Sequence, residues 1–309
     1  MDEPGMRCQS QNEGRAMGKK KGGQPSGWEK LVESVQADDG LPTRDSGYWA
    51  EDKLWHWNRY VEITTQAMVG KLTWPGGVIY VDLFCGPGVC VIRDNQRRIP
   101  GSPLIAANAP KPFKKILLCE LDDARAAACK QRLSKRLDAD RFVVFNRDCN
   151  SVIEELCTHI PNGAPTVAFL DPTGLDVDFQ TVTTLSTRGA VDLLILFPDA
   201  VDILRNATHL YWDDPESRLD RVLGPGSNWR ERRKELGSSD AAAHRKLFSQ
   251  IYREQLAAHA GYAFFDELII RGPHGPLYRL IYACKKQIGL DFWLASVSRK
   301  LNGQRHLPF

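Results

Sequence analysis

Apolar positions along this chain follow three rhythms. Between residues 50 and 72, Leu54, Trp57, Val61, Met68 and Leu72 recur at helical spacing, which predicts one helix with a single buried stripe. Pro75-Gly76-Gly77 stops it. Five short runs follow: Val78–Phe84, Ile116–Glu120, Phe142–Phe145, Thr166–Leu170 and Val191–Phe197. Each is continuously apolar rather than alternating. Helix-compatible stretches, such as Asp123–Leu137 and Asn150–Cys157, lie between them. Continuous apolar strands alternating with helices predict a parallel sheet covered on both faces. A third pattern closes the chain. A helix is predicted over Asp240–His259, with Leu247, Ile251 and Leu256 on its buried face and Gly261 as its stop. Two strand runs, Phe264–Arg271 and Leu277–Lys285, are joined by Gly272-Pro273-His274-Gly275-Pro276, which reads as a hairpin loop.

Five parallel strands followed by a hairpin is the inventory of a Rossmann-like, class I methyltransferase sheet. A dinucleotide-binding sheet more often ends in another parallel strand. The predicted organisation is therefore α/β. It has a tail over 1–27, a helical N-terminal extension over 28–77, a nucleotide-binding core over 78–204, a helical insertion over 205–262 and closing strands over 263–309. The tail is rich in Gly, Gln, Ser and Lys, a composition expected to be disordered, and its Lys19-Lys20-Lys21 run reads as solvated or as a nucleic-acid contact.

Composition narrows the class without choosing a partner. Of 309 residues, 42% are hydrophobic and 26% charged, so a core can form. The net charge of +3 permits a nucleic-acid partner without requiring one. The eight cysteines form no Cys-x-x-Cys pair, and no apolar run approaches the length of a membrane span. A reducing cytoplasm is the expected compartment. Cys85 and Cys90 flank the glycine loop, and a metal role for them needs further ligands nearby.

The chemistry gathers where strands end. In open parallel sheets, ligands bind beyond the carboxyl ends of the strands. The first strand ends in Asp82-Leu83-Phe84-Cys85-Gly86-Pro87-Gly88, where Gly86 and Gly88 let backbone approach a ligand without a Cβ clash. Asp82 is placed to accept from a ligand amino group, directly or through water. Val91 stands where the third glycine of a dinucleotide loop would fall. Glu120 ends the second strand and suits a pair of ribose hydroxyls. Asp148 follows the third and suits the exocyclic amine of adenine. Together these acids describe a pocket for an adenosyl group.

The fourth strand ends in Asp171-Pro172-Thr173-Gly174. Amino-methylating enzymes carry Asp-Pro-Pro-Tyr at a similar position, where the acid accepts the target amine's hydrogens and the aromatic stacks on the flipped base. Here the acid and first proline are present and the aromatic is absent, with Phe197 as a possible substitute. A plain turn at Asp171-Pro172 is the other reading. Trp229–Lys234, with Arg230, Arg232, Arg233 and Lys234, forms a basic-aromatic stretch suited to a phosphate backbone, or to an exposed helix face. No Pro-Cys pair exists, which disfavours cytosine-C5 chemistry.

These motifs resemble those of the three-Cys-motif partner (TcmP) family, bacterial and phage-associated proteins with a methyltransferase-like core. The matching pieces are Lys53 to Tyr60, Tyr80 to Gly88, Gly101-Ser102-Pro103, Glu120, Asp148 and Asp171 to Gly174, spanning about residues 50–285. The resemblance implies an S-adenosyl-L-methionine cofactor and a partner with a radical-enzyme-like three-cysteine motif. It also implies methyl transfer to a nitrogen of nucleic acid or another acceptor. Asp171 and Pro172 would be catalytic. Asp82, Phe84, Gly86, Gly88, Glu120 and Asp148 would hold the cofactor. Lys53, Trp229, Arg230 and Arg233 would bind substrate. In the family Lys53 and Tyr60 recur; Lys53 is placed to reach a phosphate or the cofactor carboxylate, and Tyr60 to pack on the glycine loop. Three alternatives stay open: a non-catalytic cofactor-binding partner, an NAD-dependent dehydrogenase using Glu120 for the ribose, and a magnesium nuclease using the four acids.

Overall fold

The computed structural model describes residues 27–299 and 301. The predicted tail lies outside them, apart from Gly27, which begins the first helix. The extension supplies α1 (Gly27–Glu33), β1 (Arg44–Ser46) and α2 (Trp49–Met68). The core follows as β2 (Ile79–Asp82), β3 (Val89–Ile92), β4 (Arg98–Pro100), α3 (Ser102–Ala107), β5 (Lys115–Cys119), α4 (Asp123–Ser134), β6 (Phe142–Phe145), α5 (Cys149–Thr158), β7 (Thr166–Leu170), α6 (Phe179–Ser186) and β8 (Val191–Phe197). A helical turn at Asp199–Ile203 runs into α7 (Leu204–Asn206). Then come α8 (Arg218–Leu223), α9 (Trp229–Leu236), α10 (Ala241–Ala260), β9 (Phe264–Gly272), β10 (Gly275–Cys284) and α11 (Gln287–Val297).

Seven strands form the main sheet in the order β6-β5-β2-β7-β8-β10-β9. The first five are parallel, and β10 runs antiparallel to both β8 and β9. This is the class I methyltransferase arrangement: strand order reverses at β2, and the closing hairpin inserts its second strand beside β8. Successive residues of one strand serve opposite cores. Ile79 and Val81 face the layer containing α5, α6 and α10, while Val78 and Tyr80 face the layer containing α2, α4 and α11. Period-two packing with apolar groups on both faces is why these strands lack a polar alternation.

Three features differ from the sequence pattern. Leu72 does not belong to the α2 stripe: the helix ends at Met68, and Leu72 is 99% exposed. The extension is not solely helical, because β1 pairs parallel with β3, and β3 pairs with β4 in a separate three-stranded sheet. That hairpin interrupts the usual passage from first strand to first helix. The chain returns at Gly101, whose N–H donates to the Gly88 carbonyl at 2.8 Å. A Cβ on Gly101 would sit 3.1 Å from Gly88 backbone, so Gly-Ser-Pro closes the loop by tight backbone contact.

Candidate functional site

Two neighbouring hollows open at the carboxyl rim, and both are lined by Phe84, Arg44, Asp171 and Thr173. The first, of about 400 Å3, holds Glu120, Asp148 and Asn150. The second, of about 310 Å3, holds Gly86, Gly88, Lys53, Trp49 and Tyr278. The glycine loop separates them. Gly86 and Gly88 have φ of +61° and +89°, and nothing lies within 4 Å of a Cβ built on Gly86. Backbone there is open to a ligand, as the sequence predicts.

Glu120 is buried, with its Oε1 accepting from the Asp122 N–H at 2.9 Å and lying 3.7 Å from Arg125 Nε. Asp148 caps α5, its Oδ1 accepting from the N–H groups of Asn150 and Ser151. The cap holds the carboxylate at the helix start. Asp82 behaves differently. It is fully buried, lines neither hollow, and accepts from the Phe84 N–H at 3.1 Å. Burial pushes its carboxyl up to about 7, against the lowering effect of hydrogen bonds from Ser102 and Phe84. The direct-contact role expected for Asp82 is therefore replaced by support of the loop from beneath.

Asp171 ends β7 and is buried. Lys53 of α2 donates to its Oδ1 at 2.7 Å and its Oδ2 at 2.5 Å, and Arg44 lies 3.9 Å from Oδ2. Lys53 thus reaches an acid of the site rather than standing free for a phosphate. The ammonium also lies 5.6 Å from the Tyr278 ring centroid. The Tyr278 hydroxyl is buried without a hydrogen-bond partner, and burial raises its pKa.

Five expectations are corrected. Trp229 is 1% exposed and donates its indole N–H to Asp220 at 2.8 Å, so it has no face for a base. Arg230 chelates Asp220 and donates to the carbonyls of Tyr211, Trp212 and Asp214, which ties α9 to the preceding loop. Arg233 lies over Trp212 and donates to Thr208, and none of the three lines either rim hollow. Phe197 is buried and stacked on Tyr252, so it cannot replace the absent stacking aromatic. Tyr60 donates to Asp192 at 2.7 Å in the core, away from the glycine loop. Among the described residues, no group of three or more His, Cys, Asp or Glu is placed to hold a metal ion. No helix among them is long and apolar enough to cross a membrane.

Residues missed by sequence reasoning include Arg44, Tyr278 and Arg132. Arg132 is 4% exposed on α4. It donates to Asp39 at 2.8 and 2.7 Å, to the Pro42 carbonyl at 2.7 Å and to the Pro87 carbonyl at 2.6 Å. One guanidinium thus joins the extension to the glycine loop. Its signal was a cation on the apolar stripe of Cys129 and Leu133.

No family model and no curated protein matches the chain. Among solved structures it is similar to protein LPL1258 from Legionella pneumophila at 12% identity, TM-score 0.47, covering 81% of this chain and 90% of that one. It is similar to an O-methyltransferase from Bacillus cereus in complex with SAH at 12% identity, TM-score 0.45, covering 85% and 92%. The O-methyltransferase TomG from Streptomyces achromogenes, in complex with SAM, gives 12% identity, TM-score 0.41, and 84% and 97% coverage. The fold class stands on the strand order itself.

Proposed function

We propose that this chain is an S-adenosyl-L-methionine-dependent methyltransferase. The observation carrying the proposal is the pair of adjacent hollows beside the Phe84–Gly88 loop, with Glu120 and Asp148 in one and Asp171 lining both. The residues fit the cofactor. Glu120 would accept from ribose hydroxyls, Asp148 from the adenine amine, and the open backbone at Gly86 admits close approach. Arg44, the more exposed cation of the site, would supply a positive charge for a carboxylate. When bound, the cofactor supplies a methyl group on a cationic sulfur. The chain's own work is positioning and exclusion of water. Asp171 has lone pairs beyond the two taken by Lys53, and these would accept from an acceptor N–H. Pro172 fixes the backbone after it. The antiparallel β10 beside β8 favours this reading over a dehydrogenase, whose sheet would continue in parallel.

The acceptor in this reading is a nitrogen of nucleic acid or of another molecule, and the partner is a three-cysteine-motif protein. Both rest on the motif resemblance. One observation favours a second reading, the non-catalytic cofactor-binding partner: both Asp171 oxygens are engaged by Lys53. Calorimetry with S-adenosyl-L-methionine and NAD in parallel tests the cofactor. Binding of NAD in preference would remove the proposal. Methyl transfer that is absent from a cofactor-loaded chain presented with its acceptor and partner would favour the second reading.

A further inference from the structure

Beyond the rim site, α10 and the β9–β10 hairpin enclose a groove of about 820 Å3. Five cations line it: Arg245, Lys246, Arg253, Arg271 and Arg279. Only two carboxylates, Glu254 and Glu267, share the lining. Asp199 lies fully buried beneath, accepting on Oδ2 from Arg245 Nε at 3.1 Å and from Arg279 Nε at 3.2 Å. Glu267 pairs with Arg279 and, at 3.5 Å, with Arg253. Glu254 is taken by Arg232 from outside the groove. The carboxylates are therefore consumed in fixing the guanidinium groups, and Lys246 and Arg271 stay exposed without an ion pair among the described residues.

Arg245 is itself more than nine-tenths buried, and it commits only its Nε–H. Its Nη2 is buried without a partner. A guanidinium carries five donors in a fixed fork and Arg245 spends one of them on Asp199, so the part of it that lines the groove keeps donors for an oxygen-bearing anion. Phe265, Ile269 and Pro276 add half-buried apolar surface to the lining, and Arg253 lies 5.2 Å from the Phe265 ring centroid. The groove and the hollow lined by Tyr278 lie on opposite faces of β10: Tyr278 lines the hollow, whereas Arg279, the next residue, lines the groove. The segment after β8 forms the ridge between them: Asp199 anchors the groove and Val201 lines the hollow.

We propose that this groove binds the phosphodiester backbone of a single-stranded nucleic acid. Guanidinium forks suit phosphate oxygens, and the Phe265 ring with its apolar neighbours suits unpaired bases. A strand lying here would pass over the ridge and present a nucleotide to the hollow of Asp171. That last step rests on the methyl-transfer reading; the binding itself does not.

The test is fluorescence anisotropy of a labelled single-stranded oligouridylate with the full chain, across a salt series. Each phosphate neutralised contributes about 0.7 to the salt slope for single strands. The double variant Lys246→Gln/Arg271→Gln should therefore lose about 1.4 from the slope and bind about 25-fold more weakly at about 0.1 M salt. Lys130→Gln, on exposed α4, should bind as wild type. Equal losses in the two variants, no loss in the double variant, or binding of poly-L-glutamate in place of oligouridylate would overturn the proposal. Calorimetry with S-adenosyl-L-methionine on the same proteins separates the two readings. A chain that takes the strand through this groove but takes no cofactor keeps the groove and loses the methyltransferase.

Discussion

Removal of Lys53 probes the centre of the site most sharply. Lys53 and Asp171 are each 8% exposed at the side chain, and their contacts are 2.7 and 2.5 Å. Breaking a buried pair by deleting one partner leaves an uncompensated charge and costs about 3–5 kcal/mol. Arg44, 3.9 Å from the same carboxylate and 30% exposed, recovers part of this. Lys53→Met should therefore destabilise the chain by about 3 kcal/mol, near the lower end of that range. Asp171→Asn alone strands the ammonium and should cost a similar amount. The double variant Lys53→Met/Asp171→Asn removes both charges and should be less destabilised than the sum, with a coupling of about 2–3 kcal/mol. Urea unfolding of the four proteins, read by tryptophan fluorescence, closes the cycle. If the single variants each lose less than about 1 kcal/mol and their effects add, the pair behaves as a surface salt bridge and the site's electrostatic core is misread.

Three further outcomes follow from the same geometry. Glu120→Gln should weaken S-adenosyl-L-methionine binding about 10-fold or more by calorimetry, since hydrogen bonds to a charged acceptor contribute about 1.5–3 kcal/mol. Trp229→Ala should cost about 3–5 kcal/mol in thermal or urea unfolding. It should leave the salt dependence of oligouridylate binding unchanged at temperatures where the variant is folded. Asp192 is pushed up to about 6 by burial, against bonds from Tyr60 and Tyr282. An acid with a raised folded-state pKa keeps its proton longer when folded, so stability is full below about pH 4 and falls as pH rises to about 6. Asp192→Asn should escape about 3 kcal/mol of that loss, so its stability relative to wild type should improve between pH 4 and 7. A flat difference across that range would refute the assignment.

The sheet was legible because its signal is local. Phe142–Phe145, Thr166–Leu170 and Val191–Phe197 occupy the spans that their apolar runs mark. A run buried on both faces needs no knowledge of its neighbours. The placement of Glu120 and Asp148 in one hollow followed from strand order, which the alternation of strands and helices constrains. What escaped depends on long-range pairing. Nothing near Lys53 in sequence announces Asp171, 118 residues away. Nothing near Arg230 announces that Asp220 and three carbonyls will absorb its donors. A basic-aromatic stretch has the same composition whether it faces a phosphate or caps a buried tryptophan. The β3–β4 hairpin was missed because β3 pairs with β1 from before α2 and its other partner, β4, is three residues long.

The fastening of the glycine loop gives the N-terminal extension a role that its helices alone do not explain. Arg132 holds the Pro87 carbonyl and Asp39 with one guanidinium, and its hydrogen bonds keep the Asp39 carboxyl well below the usual carboxylate range. Lys53 reaches Asp171 from α2, and Arg44 of β1 approaches the same acid. The extension therefore contacts the glycine loop through Arg132 and the fourth-strand acid through Lys53 and Arg44. Those are the two edges of one hollow. The same segment also covers one face of the main sheet with Leu54, Trp57, Tyr60 and Val61, all buried. The charges that order the site and part of the apolar cover of the sheet therefore come from one stretch of chain. A core cut at residue 77 should lose cofactor affinity and sheet stability together, whereas Asp39→Ala should loosen the glycine loop through Arg132 and leave that cover in place.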